Sequence, residues 1–202
     1  MALKLYTETQ LKNWMGETGR AVIEADELPM VEIISNGIMS RFENVLGRTI
    51  EYQADDTEEV IAHGNKLYLC RFPLIGVTSI IPQSSDGTFD SDDDLDTDSY
   101  YIDTDNGCIL KNSGDFTRST IYQVVYSGGY NDYQATGDGY TLPDSLVQAH
   151  MMQFKYEYNR RNDLGVSGQN SSAGSISVAP YGLLDGVYDL IRPLTRIKMR
   201  SA

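Results

Sequence analysis

The stretch that decides the reading of this chain is Leu142–Leu164, LPDSLVQAHMMQFKYEYNRRNDL. Pro143 suits the first turn of a helix, where its missing N–H costs nothing. Asp144 places negative charge at the same end, where the helix dipole favours it. Leu146, Val147, His150, Met151, Phe154 and Tyr158 then recur at spacings of three and four, which draws one apolar stripe along a helix. Arg160 and Arg161 fall in the last turn and Gly165 follows as a stop. A helix over 142–163 would be roughly 33 Å long, enough to serve as a post for a β-structure.

Working outward, Leu28–Leu46 carries the second long helical pattern. Pro29 stands in the first turn, and Val31, Ile34, Ile38, Phe42 and Val45 keep helical spacing. Gly47 closes it. Gly37 inside it costs about 1 kcal/mol relative to alanine. A shorter helix is expected over 7–16, capped by Thr7 with Gln10 three residues on, and with Trp14 on its apolar side.

Between the two long helices the period changes to two. Strands are expected at Thr49–Gln53, Glu59–Ala62, Lys66–Cys70, Ile75–Ile81, Tyr100–Asp103, Cys108–Leu110 and Ile121–Tyr126. Asn106-Gly107 marks a hairpin turn with both residues at positive φ, and His63-Gly64-Asn65 a weaker one. Beyond the last helix, 166–180 is rich in Ser and Gly and reads as a flexible linker. The end, 181–202, is apolar and basic and is broken as a helix near Pro193. Such a segment either buries its apolar face on a partner or folds back on its own domain.

The expected architecture is therefore α+β: a helical bundle built on helices 28–46 and 142–163, with an inserted antiparallel β region over 49–130 and a flexible C-terminal tail. In domain terms, 1–165 is the body, 166–180 the linker and 181–202 a docking segment.

The chain has 202 residues and a formal net charge of −13, from 29 acidic and 16 basic side chains. Phosphate contacts supply most nucleic-acid affinity, so this balance argues against a nucleic-acid binder. It is compatible with a surface past which DNA slides without being held, but ordinary solvated acidity is the blander and favoured explanation. The two cysteines, Cys70 and Cys108, are too few and too far apart for a disulfide framework or a zinc site, and reduced thiols are expected. No apolar run approaches a membrane span.

No nucleophile–base set, Walker loop, HExxH or CxxC motif is present, so an enzyme is not expected. Ser127-Gly128-Gly129-Tyr130 lacks the lysine and following helix of a phosphate cradle. His150, on the apolar stripe, reads as a core residue. The oddest composition is Ser84–Ser99, with Asp86, Asp90, Asp92, Asp93, Asp94, Asp96 and Asp98 and no base. It reads as a solvated acidic loop, with a calcium-dependent binding module through Asp86–Asp98 as the alternative. Asp103–Gly107 starts like an EF-hand, but its glycine stands one place early and the closing glutamate is missing.

The order of the pieces carries more than any one of them: a helix ending in FENVLGR (Phe42–Arg48), then LYLCRFPLIGVTSI (Leu67–Ile80), SYYIDTDNGCIL (Ser99–Leu110), YQVVYSGGY (Tyr122–Tyr130), and LPDSLVQAHMMQFKYEYNRRNDLG (Leu142–Gly165). This order resembles the head–tail connector, or adaptor, proteins of long-tailed bacteriophages. The resemblance implies a virion neck protein made in the host bacterial cytoplasm. It implies a ring of about twelve copies below the portal protein that extends the channel for passing double-stranded DNA, and a C-terminal segment that reaches the portal. Leu183, Leu184, Tyr188, Ile191, Arg192, Leu194 and Ile197 are then the candidate portal contacts. Asp92, Asp93, Asp94 and Asp96 are candidates for the channel wall or for the face that meets the next neck protein. A tail-completion or stopper protein of the same neck, richer in strand, is the alternative.

Overall fold

The computed structural model describes residues 28–132, 138–160, 168–171, 174–177 and 182–195. Two compact units divide these residues. One is Gly47–Leu142. The other takes the helix that ends at Leu46 together with Pro143–Thr195.

The Gly47–Leu142 unit is built from six strands in two antiparallel sheets. Strands β1 (Gln53–Ile61), β6 (Ile121–Gly128) and β3 (Leu74–Pro82) form one sheet in the order β1-β6-β3. Strands β2 (Lys66–Tyr68), β5 (Cys108–Lys111) and β4 (Tyr100–Asp103) form the other in the order β2-β5-β4. Central strand β6 alternates strictly, sending Tyr122, Val124, Tyr126 and Gly128 inward, as a half-buried strand must. With Leu67, Leu69, Phe72, Leu74, Ile80, Ile109 and Phe116 they make a core of its own.

Two local readings change here. The strand expected at Glu59–Ala62 begins earlier, since β1 runs from Gln53 to Ile61, and of the strand expected at Thr49–Gln53 only Gln53 belongs to it, Thr49 and Glu51 making isolated bridges to Arg71 and Tyr130. Asp55, at φ 49°, sits in a bulge where the register against β6 shifts; the extra residue lets an acidic, turn-like sequence continue as strand. The β4–β5 hairpin lies where Asn106-Gly107 placed it, but its loop has four residues, Thr104–Gly107, because Asp103 pairs Cys108. Gly107 is at φ 60° and Asn106 is not at positive φ. The Asp103 carboxylate accepts the Asn106 N–H at 3.2 Å and so shapes a longer turn.

The second unit holds α1 (Leu28–Leu46), α2 (Asp144–Asn159), α3 (Asp185–Ile191) and a hairpin, β7 (Gly168–Ser171) with β8 (Gly174–Ser177). Helix α1 buries Val31, Ile38, Met39, Phe42 and Leu46 and stops at Gly47, φ 64°. Helix α2 buries Leu146, Ala149, His150, Met151, Gln153, Phe154 and Tyr158. It ends at Asn159, short of the expected 163, and at 16 residues is about 24 Å long.

The expected helical bundle with a β insertion is overturned. Among the described residues the chain is a small α+β fold with three short helices and two three-stranded antiparallel sheets beside the β7–β8 hairpin. The physical reason is that the 49–130 region does not decorate helices. Its two sheets bury one another's apolar faces and form an independent core. Within the supposed linker, Gly168–Ser171 and Gly174–Ser177 pair as a hairpin through main-chain bonds, which its polar composition does not advertise. The helix expected at 7–16, Trp14 and Ile197 lie outside the described residues.

Candidate interaction surfaces

Residues from three of the motifs quoted above, Arg48, Arg71–Pro73 and Tyr126–Tyr130, converge inside the sheet unit. Arg48 of the Gly-Arg step is buried, its guanidinium 4.3 Å from the Phe72 ring centroid and 5.5 Å from that of Tyr130. Its Nη1 donates to Phe72 O at 3.2 Å. Gly129, φ 98°, lies so near the Glu51 main chain that a Cβ would come 2.5 Å from Glu51 O. Gly129 N–H donates to Pro73 O, and Tyr130 N–H to Ile50 O, both at 2.9 Å. Beside them, Arg71 donates through Nε to Asp56 Oδ2 at 2.8 Å and through Nη1 to Glu51 O. Tyr126 OH donates to Glu58 Oε2 at 2.8 Å, and the same oxygen accepts Cys70 N–H at 2.8 Å. Burial first, and then the Glu58 carboxylate, hold the Tyr126 phenol well above its ordinary range. Every charged group here faces a partner inside the unit. The chemistry is that of a crossing of three chain segments, with glycines for close approach and guanidiniums satisfying main-chain oxygens.

The aspartate loop is ordered by its own carboxylates. Asp86 accepts Thr88 Oγ1–H at 2.7 Å and Thr88 N–H at 3.1 Å, and these bonds, the hydroxyl first, lower its pKa. Asp90 caps the 3-10 turn Ser91–Asp93 and Asp96 caps Thr97–Ser99. Asp94 Oδ1 accepts Ile80 N–H at 2.7 Å, and Leu95 N–H donates to Ile80 O at 3.0 Å. The loop therefore covers part of the outer edge of β3. All four predicted interface residues are exposed; Asp92 and Asp93 lie inside the Ser91–Asp93 turn, while Asp94 and Asp96 also accept main-chain N–H bonds that hold the loop's shape. Among the described residues no group of three His, Cys, Asp or Glu side chains is placed to hold a metal ion. The regular Asp-x-Thr and Asp-x-Asp spacing was the available signal, since Asx turns need that offset.

The predicted portal contacts divide. Leu183 and Ile191 are buried with Val187 within their own unit. Leu184 and Leu194 are half-buried, and Tyr188 and Arg192 are exposed. Gln153, which sequence reasoning passed over, holds this segment. Its Nε2 donates to Gly182 O at 3.2 Å and to Glu157 Oε1 at 2.7 Å, and its Oε1 accepts Leu184 N–H at 3.0 Å. Glu157 is fixed in turn by Arg41 at 2.6 Å. The signal was a carboxamide at a stripe position of a helix. Elsewhere in this unit His150 is fully buried, 3.2 Å from Ser35 Oγ and edge-on to Phe42. Burial pushes its pKa from 6.5 to about 4.

No protein-family model matches this chain, and comparison with curated protein sequences yields no match. Among solved structures, the α+β fold is similar to that of chains in gene transfer agent (GTA) particles. A chain in the neck of an empty GTA particle, computed with C6 symmetry, is similar over 100% of this chain and 96% of that chain, with a TM-score of 0.60 at 12% identity. A chain in the virion of the native gene transfer agent (GTA) particle is similar over the same shares, with a TM-score of 0.55 at 13% identity.

Proposed function

We propose that this chain is a structural protein of the neck of a phage-like particle: a head–tail connector of adaptor type that forms a ring beneath the portal, extends the DNA channel, and catalyses nothing. The observation that carries the reading is the end-to-end likeness to a chain of the GTA neck, TM-score 0.60 over the whole of this chain. The motif order from Phe42 to Gly165 points the same way independently. A ring of about twelve copies closes under a sixfold operator. The net charge of −13 keeps passing DNA from being held. Toward the portal, the accessible part of the predicted contact set is Tyr188 and Arg192, with Leu184 and Leu194 half-open. The exposed carboxylates of Asp92 and Asp93 would face the channel or the next neck protein.

The strand-rich unit favours a second reading, a stopper or tail-completion protein of the same neck. Native mass spectrometry of the full chain, mixed with the portal ring of its own particle, separates the two. One copy bound per portal subunit is the expected result. A folded chain that ignores the portal ring but binds a preassembled adaptor ring establishes the stopper instead.

A further inference from the structure

We propose that the open edge of β1 is a strand-addition site, and that its occupant is an extended segment of a partner protein with a lysine or arginine opposite Glu59.

The sheet β1-β6-β3 has two outer strands, and the chain treats them differently. On β3, Ile80 N–H donates to Asp94 Oδ1 and Ile80 O accepts Leu95 N–H. The main chain of Ile80 therefore points away from β6. Val124, which stands opposite Ile80, turns its own N–H and C=O the other way, to Glu58 of β1. Alternation along β1 then directs Asp56, Glu58 and Val60 to β6 and leaves Thr57, Glu59 and Ile61 pointing outward. No described residue bonds the main-chain N–H or C=O of these three. Such a row of unpaired groups at strand spacing is the template that an added strand needs. The register shift before Asp56 limits it to Thr57–Ile61.

Side chains at the same positions select the occupant. All three are exposed, Ile61 at 55%. Strand β1 holds the acids Asp55, Asp56, Glu58 and Glu59 and no base. Asp55 is engaged by Thr78, Asp56 by Arg71, and Glu58 by Tyr126 and the Cys70 N–H. The Glu59 carboxylate has no partner among the described residues, so it carries the free charge of the edge. A second β1 does not suit it. Antiparallel pairing through all three outward residues would set Glu59 against Glu59, and like charges directly opposite destabilise a sheet. A cation opposite Glu59 and an apolar residue opposite Ile61 each add a favourable cross-strand pair. The edge lies wholly within the sheet unit, so its use stands apart from the neck reading.

The test is an NMR titration of the full chain with the capped peptide KVTRTTK and with its acidic counterpart EVTETTE. In antiparallel register the valine, arginine and second-last threonine of the first face Ile61, Glu59 and Thr57. The basic peptide is expected to shift the amides of these residues and to slow their hydrogen exchange several-fold, and the acidic one to leave them unchanged. Glu59→Lys should reverse that preference, because it changes an exposed side chain and leaves the β1–β6 ladder intact. Thr57→Pro keeps every charge but removes one outward N–H, at the kind of edge position where proline is tolerated, and should weaken binding several-fold. Binding undiminished by Thr57→Pro, or shifts in the Asp86–Asp98 loop instead of β1, is charge attraction without strand addition and overturns the site. Equal binding of both peptides, or of neither, overturns it too. So does protection of the three amides in the free chain, whether it grows with chain concentration (a second copy) or is lost on deleting 196–202 (the chain's own basic end).

Discussion

Gln153 and Leu184, thirty-one residues apart, are joined through the Leu184 N–H and the Gln153 side-chain oxygen at 3.0 Å, and that bond seats the C-terminal segment on α2. Replacing Gln153 by leucine keeps the volume and leaves the Gly182 carbonyl and the Leu184 N–H without this partner. Gly182 is exposed and Leu184 half-buried, so water replaces part of what is lost and the cost is that of a net hydrogen bond, about 0.5–1.5 kcal/mol. Denaturant unfolding of Gln153→Leu is expected to show a loss in that range, with limited proteolysis near residue 182 accelerated before the sheet unit is cut. A variant as resistant as wild type would remove Gln153 from this role.

His150 makes stability depend on pH. Its pKa is about 4 in the folded chain against 6.5 for the free side chain, so the unfolded chain binds the proton more readily. The contribution is whole above pH 6.5 and is lost as pH falls toward 4, and at about 1.4 kcal/mol per unit it amounts to about 3 kcal/mol. His150→Gln should flatten the fall in stability between pH 6.5 and 4, measured by urea unfolding at fixed ionic strength. Direct NMR titration of the imidazole checks the value.

Asp94 and Asp92 should behave differently although both are exposed acids of one loop. Asp94→Ala strips the Ile80 N–H of its 2.7 Å acceptor and should cost about 1 kcal/mol, with faster hydrogen exchange at Ile80. Asp92→Asn and Asp93→Asn leave the loop's main-chain acceptors in place and should change the melting temperature by less than about 1 °C. Millimolar calcium should leave the wild-type melting temperature unchanged; a rise of several degrees would establish a site by linkage.

Three glycines are predicted to separate cleanly. Gly107→Ala, at φ 60°, puts its Cβ 2.5 Å from Phe72 Cγ, and Gly129→Ala, at φ 98°, puts one 2.5 Å from Glu51 O. Both should lose several kcal/mol or fail to fold, because a main-chain oxygen and a core ring cannot retreat. Gly37 has nothing within 4 Å of a built Cβ, so Gly37→Ala should raise stability by about 1 kcal/mol. Thermal melting of the purified chains reads all three.

Much of this was legible in the chain. The start of α2 after Pro143, the end of α1 at Gly47 and the site of the β4–β5 loop at Gly107 are written in capping and turn chemistry within a few residues. Arg48, Pro73, Tyr126 and Gly129-Tyr130 look unrelated along the chain, yet they meet at one crossing. What was misread was their meaning for architecture: the helical stripes are the strongest local signal, and they made the β region look like an insertion. The aspartate loop looked like a ligand set, whereas its regular spacing is that of turns capping themselves.

By itself the sequence determined the helical segments of α1 and α2, the inward face of β6, the acidic balance, and the break at Pro193. Each depends on periodicity, capping or charge within a few residues, where chain entropy is low and side-chain chemistry decides. Tertiary structure alone decided that β1, β6 and β3 share one sheet, that β2, β5 and β4 share another, that a bulge at Asp55 carries β1 back to Gln53, and that Leu183, Val187 and Ile191 are buried. Those pairings close long loops whose entropic cost grows only slowly with length, so many partners are nearly equivalent along the chain. The choice falls to whichever packing satisfies the buried polar groups, here the carboxamide of Gln153 and the guanidiniums of Arg48 and Arg71.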